Sequence, residues 1–292
     1  MLRLGTFRGV SESFSQQQPL TPGRTDHGDA LAQRLQPLIL SAPFGNYLQP
    51  AGTTPTLGTY TAARRGGRPA AFGRALLTVR YYRRLGAWVN RIGLRNPGIG
   101  SLSAQPKHGR AVSDCLLSIH GFTAEDWYAL LQRVEQLQPM AVELNISCPN
   151  VGEISWPDDL FQRAVATGVP VIVKIPPVRY QELVAAAAAV EVPWLHATNT
   201  LPVAKGGMSG APLQPIALNV VRWLRAEYGS TFRIIGGGGI RGPQDVAAFA
   251  EAGADRFAVG SFAMRPAALR TEKWVAPMRA AATRWVAEGS QP

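Results

Sequence analysis

Cysteine is nearly absent from this sequence, with two in 292 residues, at positions 115 and 148. That excludes a disulfide framework and leaves too few thiolates for a four-cysteine zinc or iron–sulfur site; no metal site is expected. Lysine is almost as scarce, occurring only at 107, 174, 205 and 273. No apolar stretch approaches the roughly 20 residues a membrane-spanning helix needs; the longest candidate, Leu183 to Val192, is mostly alanine. Acidic residues are in deficit, 19 against 30 basic ones, so the net charge is +11 and is carried mainly by arginine. A basic surplus raises nucleic acid or an anionic membrane as partners. The densest basic segment is Arg64, Arg65, Arg68, Arg74, Arg80, Arg83 and Arg84, with Tyr81 and Tyr82 among them. No zinc-finger, RNP or helix-turn-helix signature accompanies it. A solvated arginine-rich surface is therefore preferred to a nucleic-acid footprint, and neither nucleic acid nor a membrane span is expected.

What is present is a rhythm. Residues 1–35 are polar and irregular, with Gln16, Gln17, Gln18, Pro19 and Pro22, and read as a flexible N-terminal arm. The arm has no continuous apolar segment of the kind a secretory signal carries, and Glu12, Asp26 and Asp29 fit an organellar transit peptide poorly, so a cytoplasmic location is expected. Residues 36–292 have the size of one ordinary domain. Strand-like runs occur at Pro37–Ala42, Leu57–Thr61, Trp88–Leu94, Cys115–His120, Ala141–Ser147, Pro170–Ile175, Trp194–Asn199, Arg233–Gly236 and Arg256–Gly260. Helical stretches occur at Ala124–Gln138, Pro157–Thr167, Tyr180–Val190, Pro215–Tyr228 and Pro243–Ala252. Continuous apolar strands alternating with helices imply parallel β-structure buried on both faces. The expected fold is α/β, a TIM (β/α)8 barrel, with a doubly wound sheet as the alternative. Nine runs for eight staves leave one over, and Trp88–Leu94 is read as a loop excursion.

In such a barrel the chemistry belongs at the C-terminal strand ends, and polar or glycine-rich residues do follow the strands. Gly236 to Gly239 precede a helix begun near Pro243, and Gly260-Ser261 follows the next strand. Backbone amides there can approach an anion closely, so a phosphate site is preferred to plain tight turns. Lys174 ends an apolar strand and cannot be buried unpaired; it is read as facing a negatively charged ligand rather than snorkelling to solvent. Cys148, between Asn145 and Asn150, is open to two readings, a reactive thiol or a small buried residue. Cys115 reads as the latter.

At this point the residues resemble a known family. Glu143-Leu144-Asn145-Ile146-Ser147-Cys148-Pro149-Asn150 resembles the signature of the dihydroorotate dehydrogenases, in particular the cysteine-using class 1 branch. Asn90 to Gly98 resembles the family's substrate loop. Val173 to Pro177, Thr198 to Thr200, Gly206 to Gly210 and Ile234 to Ile240 follow in the family's order, and the resemblance covers roughly residues 36 to 270. It implies an FMN-containing barrel that oxidises dihydroorotate to orotate in pyrimidine biosynthesis. Carried over by position, Cys148 would take the proton from C5 while hydride passes from C6 to the flavin. Lys174 would lie near the flavin ring. Ser41, Ala42, Ser118, Asn145, Thr198 and Thr200 would hold the flavin, and Gly210, Gly238, Gly239, Gly260 and Ser261 its phosphate. Asn90, Ile92, Gly93, Leu94, Asn145, Asn150, Asn199 and Thr200 would bind the dihydropyrimidine.

The sequence departs from the family at the end of the second strand, where a lysine touching flavin and orotate is expected. Here the stretch reads Gly58 to Arg65, and the lysine is replaced, most simply by Ala62. A relative acting on another substrate is therefore carried beside the main reading, as is a flavin-free phosphate-binding barrel enzyme. The electron acceptor stays open. With two cysteines the chain holds no iron–sulfur cluster of its own, so an NAD-linked route would need an electron-transfer subunit. The resemblance also leaves room for a homodimer.

Overall fold

A computed structural model describes residues 26–66, 78–105, 109–146, 156–265, 267–268 and 271–289. The strands are β1 (Leu38–Leu40), β2 (Thr54–Tyr60), β3 (Val79–Tyr82), β4 (Ala87–Asn90), β5 (Leu116–Ile119), β6 (Ala141–Leu144), β7 (Val171–Ile175), β8 (Trp194–Ala197), β9 (Leu201–Val203), β10 (Gly206–Gly210), β11 (Arg233–Gly237) and β12 (Arg256–Val259). Eight of them, β1, β2, β5, β6, β7, β8, β11 and β12, pair in parallel and close into a barrel through β12 and β1. The helices are α1 (Asp26–Arg34), α2 (Ala124–Leu137), α3 (Leu160–Ala166), α4 (Gln181–Ala189), α5 (Gln214–Tyr228), α6 (Pro243–Glu251) and α7 (Val275–Gly289). Among the described residues no helix is long and apolar enough to cross a membrane.

Local chemistry sets these elements. α2 starts at Thr123, whose hydroxyl accepts the Asp126 N–H, and Glu125 and Asp126 place negative charge in its first turn. Trp127, Leu130, Leu131, Val134 and Leu137 share one face and are buried against the barrel. Every residue of β5, β6, β7 and β8 is buried, because helices cover the strands outside and side chains fill the barrel within.

Inside the barrel, layers of different chemistry stack along the axis. Ile39, Leu116, Ile172, Trp194, Ile235 and Ala258 form an apolar floor. Two residues further along their strands stand Ser118, Lys174 and His196, with Glu143 beside Ser118 in register and Lys174 beside His196. Period-2 alternation means these strands carry the polar side chains on the same inner face as the floor.

The structure differs from the expected organisation at three places. The flexible arm does not run to residue 35: α1 occupies 26–34, with Leu31 and Leu35 buried against the floor. Arg256 donates to the Ala32 carbonyl and Arg233 pairs with Asp29, so the barrel's own arginines hold this helix. The Trp88–Leu94 run is outside the barrel as expected, but it contains a strand. β4 lies in an antiparallel sheet of order β3-β4-β10-β9, built from excursions after β2 and β8, at the C-terminal side of the barrel. α7, not anticipated, packs against α6 and β1 and buries Val275, Met278, Ala281 and Ala282.

Candidate active site

A chain of hydrogen bonds rises from the barrel interior to its C-terminal mouth. Lys174 Nζ lies 3.4 Å from Glu143 Oε1 and His196 Nδ1 lies 2.6 Å from Glu143 Oε2. The Ser118 hydroxyl also bonds Glu143 and meets Thr59 Oγ1 at 2.9 Å. Thr59 accepts from Asn145 Nδ2 at 2.9 Å, and Asn145 Oδ1 accepts from Asn199 Nδ2 at 2.8 Å. Asn199 Oδ1 in turn accepts the Thr200 backbone N–H at 2.8 Å. The two asparagines end β6 and follow β8, so their amides are fixed by side-chain partners on one side and by barrel backbone on the other. Asn145 N donates to Ile119 O and Asn199 N to Ile175 O.

The electrostatics follow from burial. Burial alone would raise the Glu143 carboxyl, but Lys174, His196 and Ser118 outweigh it and hold the group at about 2. Burial pushes His196 below its ordinary 6.5, helped by Lys174 against the pull of Glu143. His120, buried against Trp127, is lowered for the same first reason. Its Nδ1 lies 2.7 Å from the Asn145 carbonyl oxygen. A carbonyl only accepts, so Nδ1 carries the proton.

These shifts make a stability prediction. Both histidines stay neutral when folded but take a proton near 6.5 when unfolded, so their contribution is complete above that value and is lost as pH falls below it. Glu143 adds a second loss as pH falls from its ordinary 4.5 towards 2. The melting temperature should be flat near neutrality and fall in two stages on acidification. A melting temperature that rises between about pH 7 and pH 6 would contradict the neutral histidines.

Beside the polar chain the backbone is opened by glycine. Gly238 and Gly239 have φ of +114° and +89°. A β-carbon on Gly239 would stand 2.8 Å from the Gly210 carbonyl oxygen, and one on Gly260 would stand 3.5 Å from Ser41 Cβ. Gly239 therefore meets the Gly210 backbone, and Gly260 faces the Ser41 side chain. Ser209, next to Gly210, is buried and its hydroxyl has no hydrogen-bond partner among the described residues. Glycine turns at strand ends with an unspent hydroxyl beside them suit an anionic group. Gly239→Ala should cost about 1–3 kcal/mol of backbone strain and lower anion occupancy at this site, measurable as flavin content after purification with added FMN. Full retention of both stability and flavin would show that the turn needs no glycine.

The expected substrate loop is held by the antiparallel sheet. Asn90 ends β4, pairs with Gly207 of β10 and is buried, with Nδ2 3.4 Å from the Gly207 carbonyl. Gly93 and Leu94 take positive φ of +67° and +55°, and Ile92 precedes them. Arg65 donates from Nε to the Gly93 carbonyl at 2.8 Å and stacks over Phe122 at 4.3 Å.

A family model described as dihydroorotate dehydrogenase matches residues 55–268. The chain belongs to the dihydroorotate dehydrogenase family. Curated relatives include the catalytic subunit of dihydroorotate dehydrogenase B (NAD(+)) of Listeria innocua, 33% identical over 202 residues, covering 59% of this chain and 66% of the relative. The protein of the same name from Shouchella clausii is 35% identical over 202 residues, again 59% of this chain and 66% of the relative. These matches therefore span 66% of the relatives' length. Among solved structures, ligand-free dihydroorotate dehydrogenase of Eimeria tenella superposes with a TM-score of 0.70 at 17% identity, over 87% of this chain and 85% of that one. The ferulenol complex of the same enzyme gives 0.67 at 16%, over 87% and 82%. At that identity the likeness concerns the barrel.

The structure joins Asn145, Asn199 and Thr200 by hydrogen bonds at the mouth and brings Gly239 against Gly210 and Gly260 against Ser41, while Lys174, Thr198, Ala42, Gly238 and Ser261 stand at or just after the C-terminal ends of barrel strands. Cys148 and Asn150 lie outside the described residues. Ser118, expected to touch a flavin, lies in the same layer as Lys174 and bonds Thr59 and Glu143. The strand-end lysine finds no equivalent in β2. Thr59 is the β2 side chain that enters the polar chain, Tyr60 turns away towards Asn46 Oδ1 at 3.3 Å, and Ala62 follows the strand and packs on the core. Sequence reasoning missed Thr59, Glu143 and His196. A signal existed: Glu143 and His196 interrupt otherwise apolar strands.

Proposed function

We propose that this chain is an FMN-dependent oxidoreductase that oxidises dihydroorotate, or a related dihydropyrimidine, to orotate or its counterpart in pyrimidine biosynthesis. The buried Thr59–Asn145–Asn199 chain at the barrel mouth carries this reading. Amides present donors and acceptors side by side, which matches the alternating N–H and C=O edge of a pyrimidine. Asn145, Asn199 and Thr200, with Asn90, Ile92, Gly93, Leu94 and Asn150 from the flanking loops, would orient that edge. Ser41, Ala42, Thr198 and Lys174 would hold the flavin, Ser118 supporting them through Thr59, and the glycine turns with Ser261 its phosphate. FMN, when bound, supplies the hydride acceptor. Cys148 would accept the proton from C5, and the buried mouth would keep water away from the reacting carbons.

The relatives named above are NAD(+)-linked catalytic subunits. With two cysteines, this chain would pass electrons to NAD only through a partner subunit carrying the relay. No observation on the polar mouth favours a flavin-free phosphosugar reaction over this. Anaerobic addition of dihydroorotate to FMN-loaded protein should bleach the flavin, and reoxidation by a panel of acceptors then identifies the outlet. Protein that takes up no FMN would overturn the reading.

A second reading rests on the end of β2, where Ala62 most simply stands in place of the family's lysine. A substrate lacking the carboxylate would need no cation there. Flavin difference spectra with orotate and with uracil separate the two: tight orotate binding supports dihydroorotate, and a preference for uracil supports the relative with another substrate.

A further inference from the structure

Glu143 is fully buried, and nothing in the proposed chemistry uses it. A buried carboxylate persists only when paired and hydrogen-bonded, and here each oxygen has its own partner. The two contacts are unequal. His196 Nδ1 at 2.6 Å makes a short hydrogen bond to Oε2, whereas Lys174 Nζ at 3.4 Å stands at the outer limit of one to Oε1. With Oε2 engaged, the carboxylate cannot turn both oxygens onto the ammonium. His196 has room for this because Gly237, two residues beyond its register partner Ile235 on β11, carries no side chain: a β-carbon there would stand 3.3 Å from Nε2 and 2.9 Å from the Ala258 carbonyl oxygen. The imidazole thus needs a proton on Nδ1, the glycine behind it and the carboxylate in front, and the fold supplies all three.

We propose that His196 is a positioning residue: by holding one oxygen of Glu143 it limits the pull of that carboxylate on Lys174, and so sets the positive charge the lysine presents at the barrel mouth. The inference rests on the FMN reading above, since the consequence is a tuned reduction potential of the bound flavin. The groups acting on His196 among the described residues are Glu143 and Lys174. Its neutrality leaves the three-residue cluster without net charge, one cation against one anion.

The test is the midpoint potential of FMN bound to the full chain and to three variants. Glu143→Gln removes the anion beneath Lys174, favours the reduced cofactor with its extra negative charge, and should shift its equilibrium about tenfold, about 30 mV upward for two electrons. His196→Leu frees Oε2 to engage the ammonium and should shift the potential downward by a similar amount. His196→Asn keeps an N–H donor at the Nδ1 position and should restore the unaltered value. Opposite signs with rescue cannot come from loosened packing, which would lower flavin content alone. A His196→Leu potential equal to that of the unaltered protein, or Glu143→Gln and His196→Leu shifting the same way, would overturn the proposal. Nitrogen-15 NMR of the flavin-free protein tests the pair without any variant: His196 should be the neutral Nδ1–H tautomer near pH 7, and an imidazolium or an Nε2–H tautomer would overturn it. Failure of the unaltered chain to bind FMN would instead remove the functional reading and leave the NMR result standing.

Discussion

Cys148→Ala should reduce its flavin about 10²–10⁴-fold more slowly with dihydroorotate than the unaltered chain does, at equal FMN content, in anaerobic stopped-flow mixing. The expectation follows from what else the mouth provides. Hydride loss from C6 requires a proton to leave C5, and the described groups there are amides, hydroxyls and a lysine paired with Glu143. His196 lies below, engaged with that same carboxylate, and His120 has its Nδ1 proton on the Asn145 carbonyl and its ring against Trp127 and Phe122. Neither is placed to receive a proton. The other thiol, Cys115, is pushed up to about 11, chiefly by burial, and is a core residue. Cys148→Ser should be slow as well, because a neutral hydroxyl is a far weaker proton acceptor than a thiolate. An unchanged rate in Cys148→Ala would assign the proton to another group.

Glu143→Leu should lower stability by about 3–5 kcal/mol, because it strands the Lys174 ammonium in the barrel without its counter-charge. For a domain of this size that is a melting-temperature drop on the order of 10 °C. The companion result is more telling. Glu143→Leu combined with Lys174→Met should recover most of the loss, since a buried ion pair replaced by apolar groups of similar volume is often neutral. Such a double variant should be folded yet impaired in flavin binding. If the double variant were no more stable than Glu143→Leu, the cost would come from lost packing around Ser118 and His196 rather than from the unpaired charge.

Barrel and site were legible in the sequence to different degrees, for physical reasons. The apolar runs at 116–119, 141–144, 171–175 and 194–197 announce parallel strands because both faces of each are dry. Lys174 and the glycines of 236–239 stand out because their chemistry conflicts with the strand or turn around them. α1 escaped notice because only Leu31 and Leu35 of a polar segment are buried, and they are buried by the barrel floor, a surface no local pattern reveals. β4 read as a loop because it adds no stave to the barrel: it pairs with its neighbour β3 and with β10, more than a hundred residues away.

By itself, then, the sequence determined the fold class, the family, the glycine turns and the residue types at the mouth, since each is a matter of local pattern or local chemistry. Only the tertiary structure decided which side chains share a hydrogen bond. Thr59, Ser118, Glu143, Lys174 and His196 come from five different strands, and closing the sheet into a barrel turns their separate inward positions into one connected polar layer. A carboxylate in an apolar strand is an anomaly when read along the chain. Between one ammonium and one neutral imidazole, with an oxygen for each, it becomes the charge around which the candidate site is arranged.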